Sequence, residues 1–144
     1  MTKVFIISNE SIQKDKDNFY CDNIDLKSIP EGLTNNIVSV DLLARNSKFT
    51  RSKKIKIDNI YIGHNIFSYI AKLLKSFKKK NNYLIISISP YTFVAVIFLK
   101  LFNKKNYVYL RSDGYKEYKS IFGFCGSIIY HFMFYIVSRF SSLI

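Results

Sequence analysis

Residues 83–115 constrain this chain more than any other stretch, because YLIISISP, YTFVAVIFLKLFNKK and NYVYLRSDGY follow one another without a break. Residues 83–88 are short, apolar and rich in β-branched side chains, and Pro90 closes the run. No polar alternation survives, as expected of a parallel strand covered on both faces. Residues 91–105 form an apolar helix ending in Asn103-Lys104-Lys105, with cations where a helix C-terminus favours them. Residues 107–110 are a second buried strand. A βαβ unit of this kind leaves its working residues at the carboxyl end of the strand. Here those residues are Arg111, Ser112, Asp113 and Gly114.

With 144 residues, the chain predicts one domain, residues 1–144, with a real core. Apolar residues make up 49% and aromatic residues 17%, too much for a disordered basic tail. The net charge of +12 calls for an anionic partner: a membrane face, a nucleic acid or a phosphorylated substrate. Cys21 and Cys125 lie far apart without metal or CxxC spacing, which points to a reducing, cytoplasmic setting. The first apolar run turns polar by Ser8, too soon for a signal peptide.

Taken in order, residues 3–8 (KVFIIS) open the domain with a buried strand. Residues 9–36 read as a long polar loop carrying Asp15, Asp17, Asp22 and Asp25. Within it, Ser28-Ile29-Pro30-Glu31 has capping-box spacing and predicts a short helix up to Thr34. Residues 37–43 are a second strand, 46–56 a basic hairpin or loop, and 57–62 a third strand. Gly63-His64-Asn65 opens a helix to about Lys79, with Ile66, Ile70, Leu73, Leu74 and Phe77 at helical spacing. Residues 115–120 are polar and 121–137 a long apolar helix. The final residues read as the opening of a further strand, which suggests a chain continuing beyond this point. The alternation predicts an α/β fold: a Rossmann-like, doubly wound, mostly parallel sheet with helices on both faces.

A small two-span membrane protein competes with that reading, since residues 83–99 and 120–138 are uncharged for close to a span of roughly 20 residues. Against it stand Ser87, Ser89 and Pro90 in the first run, and Gly123, Gly126 and His131 in the second. Neither a G-x-G-x-x-G nor a Walker loop, HExxH, paired CxxC or GxSxG is present, so no cofactor or metal set is implied. His64 reads as a capping or surface histidine and His131 as a core histidine. Lys72, Lys75, Lys78, Lys79 and Lys80 form a basic helix edge, suited to a solvated face or an anionic membrane surface. Nothing resembles an RNP motif or helix-turn-helix, so no nucleic-acid partner is expected. Arg111 to Tyr118 is the densest polar cluster after a buried strand: Arg111 can grip an anion, and Asp113 can orient or deprotonate a hydroxyl. Alternatively, Asp113 caps the next helix and Glu117 favours its N-terminal dipole.

KVFIIS, SIPEGL, VDLLAR, the ISISP strand end and above all YVYLRSDGYKEY together resemble the N-terminal half of a GT-B glycosyltransferase, closest to family four. The resemblance spans essentially the whole chain. It implies sugar transfer from a nucleotide-sugar donor to a glycan or lipid-linked acceptor, with the acceptor on this domain and the donor mainly on a second domain absent here. It also implies a peripheral position on the cytoplasmic face of the cell membrane, and little activity for the chain alone. Ser8-Asn9-Glu10 stands where such enzymes often carry a glycine-rich turn. Asp113 is then the expected catalytic residue. Arg111, Ser112, Gly114, Glu117, Ser89, Asn9 and Glu10 are the expected substrate contacts, because three strand ends open onto one edge. A non-catalytic binding or assembly module stays open beside this reading.

Overall fold

A computed structural model of the chain describes residues 3–36, 39–57, 59–79 and 82–144. Among them run β1 (Lys3–Asp15), β2 (Asn18–Cys21), α1 (Ile24–Asn35), β3 (Ser39–Asn46), β4 (Lys53–Ile55) and β5 (Asn59–Gly63). There follow α2 (Ile66–Ser76), β6 (Asn82–Ile86), α3 (Pro90–Leu101), β7 (Asn106–Tyr109), α4 (Gly114–Phe140) and β8 (Ser142–Leu143). The fold is α/β, an eight-stranded and mostly parallel sheet with four helices. The parallel strands lie in the order β5-β3-β1-β6-β7-β8. β2 and β4 form an antiparallel extension hung from the far end of β1.

The start of β1 sits at the middle of this sheet because both of its faces are apolar. Phe5 and Ile7 point to one face and Ile6 to the other, all at most 1% exposed. The Phe5 face packs with Leu43, Tyr83, Ile85 and Val108 under α2, α3 and α4, which contribute Tyr69, Leu73, Ala95, Leu99, Met133 and Val137. The Ile6 face packs with Leu42, Ala44 and Ile86 against Leu26 of α1, against Ile12 further along β1, and against Cys21 and Ile55 of the antiparallel extension.

Several boundaries depart from the sequence reading. Residues 9–36 are not a loop: β1 runs on to Asp15, turns with Lys16 at a φ of 53° and returns as β2. Short turn-forming residues at Asp15 to Asn18 favour that hairpin. The helix does not start at Ser28. Asn23 caps it, accepting from the amides of Asp25 and Leu26, which leaves Ser28 and Pro30 inside α1. An Asn at the cap outweighs a proline that can contribute only one missing donor. The basic segment 46–56 contains β4, paired with β2. The second strand is β3, extending to Asn46; Ile37 and Val38, its expected opening, lie outside the described residues, as does Asp58 of the third. Residues 83–99 do not span a membrane, being β6, a turn and α3 in the core. Ser89 caps α3 in a capping box with Thr92, and Pro90 takes the first helical position.

The polar segment 115–120 and the helix after it are one element, α4, interrupted at Gly123 (φ 65°, ψ −151°). Only glycine adopts that conformation freely. By length and composition α4 is apolar enough to cross a bilayer, yet Ile121, Phe122, Phe124, Ile128, Ile129 and Phe132 stand exposed on it here. His131 is exposed too, not in the core, because this outward face is the apolar one; its Nδ1 lies 2.8 Å from the Tyr115 hydroxyl.

Near its start α4 is bent over its own second half. Gly114 packs against the ring of Tyr130 so closely that a Cβ there would lie 2.1 Å from ring carbons. Tyr130 is 4% exposed, and burial pushes its hydroxyl up to about 12. A phenol whose folded pKa is raised contributes stability in full below its unfolded value near 10, and loses it as pH climbs through the folded value. Denaturation midpoints should therefore fall between about pH 10 and 12, and fall less steeply in Tyr130→Phe. Parallel curves for the two proteins would contradict the assignment.

Candidate functional site

β1 and β6 pair in register from Val4↔Asn82 to Ser8↔Ile86 and then part. β1 continues with β3, from Ser11↔Arg45 after an irregularity, while β6 turns through Ser87 into α3. Ser87 holds a φ of 63°, unusual for a residue with a Cβ, and its amide still donates to the Tyr109 carbonyl at 2.9 Å. Its Oγ is buried without a partner. The parting strands leave a cleft of about 240 Å³ at the carboxyl edge of the parallel sheet. Asn9, Glu10, Ser87, Ser89, Arg111 and Glu117 give it polar walls; Ile86, Ile88, Tyr118, Ile121 and Phe122 give it an apolar one.

Charge in the cleft is braced. Arg111 Nη2 lies 3.4 Å from Glu10 Oε1, and its Nε lies 3.7 Å from Asp25 Oδ2. Asn23 Nδ2 donates to the same Glu10 oxygen at 3.1 Å while its own oxygen caps α1. Helix α1 is thus tied to β1 and to the end of β7 by one short network. Arg45 Nη1 donates to Asn9 Oδ1 at 3.4 Å, and its guanidinium stacks 4.7 Å from the centre of the Tyr91 ring. The buried Tyr69 hydroxyl donates to the Ser8 carbonyl at 2.8 Å, which fixes the point of divergence.

The structure gathers Asn9, Glu10, Ser89, Arg111 and Glu117 around one cleft. It does not bring Ser112, Asp113 or Gly114 into the lining. Ser112 is exposed, and Gly114 lies beneath Tyr130. Asp113 caps α4: its Oδ1 accepts from the Lys116 amide at 3.3 Å, and its Oδ2 lies 3.6 Å from Lys116 Nζ. Sequence reasoning missed Asn23, Arg45 and Ser87 as parts of the site, and named Asp25 and Tyr118 only as members of polar segments, not as contacts. Arg45 and Ser87 could have been found as the residues closing two parallel strands, the positions that open sheets use for ligands.

Of the basic helix edge, Lys72, Lys75 and Lys79 line a separate cavity of about 150 Å³ with Phe5, Asp41 and Tyr61. Lys72 Nζ also donates to the Ile62 carbonyl. Lys78 is exposed, and Lys80 lies outside the described residues. The apolar stripe of α2 is turned inward on the core, while its outer face shows lysines together with the exposed Phe67 ring. Among the described residues no group of three or more His, Cys, Asp or Glu could hold a metal ion.

Chemically, the cleft mixes a guanidinium donor, two carboxylate acceptors, hydroxyls and an apolar wall. That combination suits a polyhydroxylated ligand with an anionic or apolar part. No protein-family model, curated protein or solved structure matches the chain.

The cap at Asp113 yields a test. Asp113→Ala should lower stability by about 0.5–2 kcal/mol in denaturant titrations, while Asp113→Asn, an equally good cap, should stay close to the parent. Equal stability of all three would mean that the cap contributes nothing.

Proposed function

We propose that this chain is the acceptor-side domain of a GT-B glycosyltransferase, holding a glycan or lipid-linked acceptor for transfer from a nucleotide sugar. The observation that carries the reading is the cleft between β1 and β6. The strand order β5-β3-β1-β6-β7-β8 reverses direction there, which supports a Rossmann-like, doubly wound fold, and such folds take ligands at the reversal. In this reading Glu10 and Glu117 accept hydrogen bonds from sugar hydroxyls, and Arg111 donates to an anionic group. At the N-terminus of α3 the capping box occupies the Ser89 and Thr92 amides and Pro90 has none, which leaves the Tyr91 amide to donate to a ligand. The nucleotide-sugar donor binds mainly to a second domain. Asp113 caps α4 outside the cleft lining, so it serves as base only for an acceptor hydroxyl that extends past the cleft to it; otherwise it holds the start of α4 and the chain binds without catalysing.

Calorimetric titration of the chain with a short-chain lipid diphosphate sugar tests this. Arg111→Ala should weaken binding by roughly tenfold or more, since a hydrogen bond to a charged group is worth about 1.5–3 kcal/mol. No binding by the parent chain, or equal binding by the variant, would overturn the reading.

The exposed apolar face of α4 favours a companion reading, peripheral attachment to the cytoplasmic face of the cell membrane. Lys116 and Lys119 stand beside that face, and aromatic and aliphatic side chains with neighbouring lysines suit an anionic bilayer interface. Phe124→Ser with Phe132→Ser should reduce co-sedimentation with anionic vesicles several-fold while the fold persists. Unchanged co-sedimentation would remove α4 from the contact.

A further inference from the structure

A second pocket, of about 380 Å³, lies at the opposite end of the sheet, where α3 and α4 end and β7 and β8 begin. We infer that it is a binding site for a phosphate ester that also carries a hydroxyl group, separate from the carboxyl-edge cleft and independent of its function. Lys100, Lys104, Lys105 and Arg139 line it, and no acidic side chain does. Among the described residues none of the four has a carboxylate within ion-pairing distance. Lys104 is spent on the Phe77 carbonyl, 3.1 Å from its Nζ. Lys100, Lys105 and Arg139 instead lie over the rings of Phe140, Tyr107 and Tyr135, which hold cations without neutralising them.

Gathering like charges without a counter-ion is unfavourable unless something anionic occupies the space. Helix C-termini offset part of that charge, but they do not explain the next observation. Two buried polar atoms without partners belong to residues lining this same pocket: Asn106 Oδ1 and Ser141 Oγ. Asn106 is 4% exposed. Its amide orientation is fixed, because Nδ2 donates to the carbonyls of Lys104 and Phe140 at 3.2 and 3.4 Å, and two carbonyls can only accept. Oδ1 therefore needs a donor, which cations held on aromatic rings do not supply and a ligand hydroxyl does. Ser141 can donate to a phosphate oxygen or accept from the same hydroxyl. A phosphomonoester brings nearly two negative charges and three acceptor oxygens, and a phosphodiester headgroup one charge and two free oxygens; either set can accept from the ammonium and guanidinium donors. The source is a soluble phosphate ester or a phospholipid headgroup. Leu101 and Phe102, exposed beside the pocket, would rest against lipid in the second case.

The test uses glycerol 3-phosphate in calorimetry and phosphatidylglycerol vesicles in co-sedimentation, with glycerol and neutral phosphatidylcholine vesicles as blanks. The pair Lys100→Glu and Lys105→Glu changes two exposed residues, so folding, checked by circular dichroism, should persist. If it does not, Lys100→Gln with Lys105→Gln replaces it. Lys54→Glu with Lys56→Glu reverses the same total charge on the β2–β4 side of the sheet. The pocket variant should bind about tenfold or more weakly, because charge-assisted contacts are lost, while the control pair stays near the parent. Binding of glycerol 3-phosphate with that discrimination assigns a soluble ester. Binding of the anionic vesicles alone with that discrimination assigns a headgroup. Failure of the parent to bind either probe, or equal loss in both pairs, would overturn the proposal.

Discussion

The pairing of β1 with β6, and its end at Ser8↔Ile86, is the constraint on which the rest depends. Up to that point β1 is locked between two parallel neighbours, with Phe5, Ile6 and Ile7 fully buried. Burying each such side chain stabilises by about 1.5–3 kcal/mol, so register cannot slip without exposing several of them. Beyond Ser8 the sequence turns polar and the strand can no longer be covered on both faces. It peels away from β6 and is recruited into a hairpin, and a cleft opens where the two strands separate. The Tyr69 hydroxyl, donated to the Ser8 carbonyl from α2, satisfies one backbone group that this divergence would leave buried and unpaired.

The polar side of the cleft is held by a network rather than by any one bond. Arg111, Glu10 and Asp25 are partly exposed, and pairs in such settings each contribute at most about 1 kcal/mol. Their effect is positional. Asn23 caps α1 and steadies Glu10 at the same time, so movement of α1 would disturb the carboxylate that faces Arg111. The opposite end of the sheet has the inverse character, with cations gathered and no carboxylate to answer them. A net charge of +12 is thus unevenly spent: balanced at the carboxyl edge, unopposed at the amino edge.

The strand, turn, helix and strand of residues 82–109 were legible because apolar runs bounded by Ser-Pro and Asn-Lys-Lys admit few alternatives. So was the nearness of Asn9, Glu10, Ser89 and Arg111, since parallel strands deliver their ends to one edge. The β1–β2 hairpin was not legible: Ile12 is the one large apolar side chain between Ser8 and Asp15, and its burial comes from Cys21 and Ile55, distant in sequence. Pro30 misled because its preference for a first helical turn is only statistical, and the cap at Asn23 decided the start of α1. His131 misled for a different reason. An apolar run is read as buried, whereas much of the apolar face of α4 looks outward. Asp113 shows a further limit, because a residue at a strand end can serve the next helix as readily as a ligand.

Amide chemical-shift mapping with a lipid diphosphate sugar would locate the ligand on the sheet without requiring turnover. The largest changes should fall on Ser8 to Glu10, Ser87 to Ser89, Arg111 and Glu117, where β1 and β6 part. Saturable changes confined to the amino edge, or to residues away from both ends of the sheet, would contradict that placement.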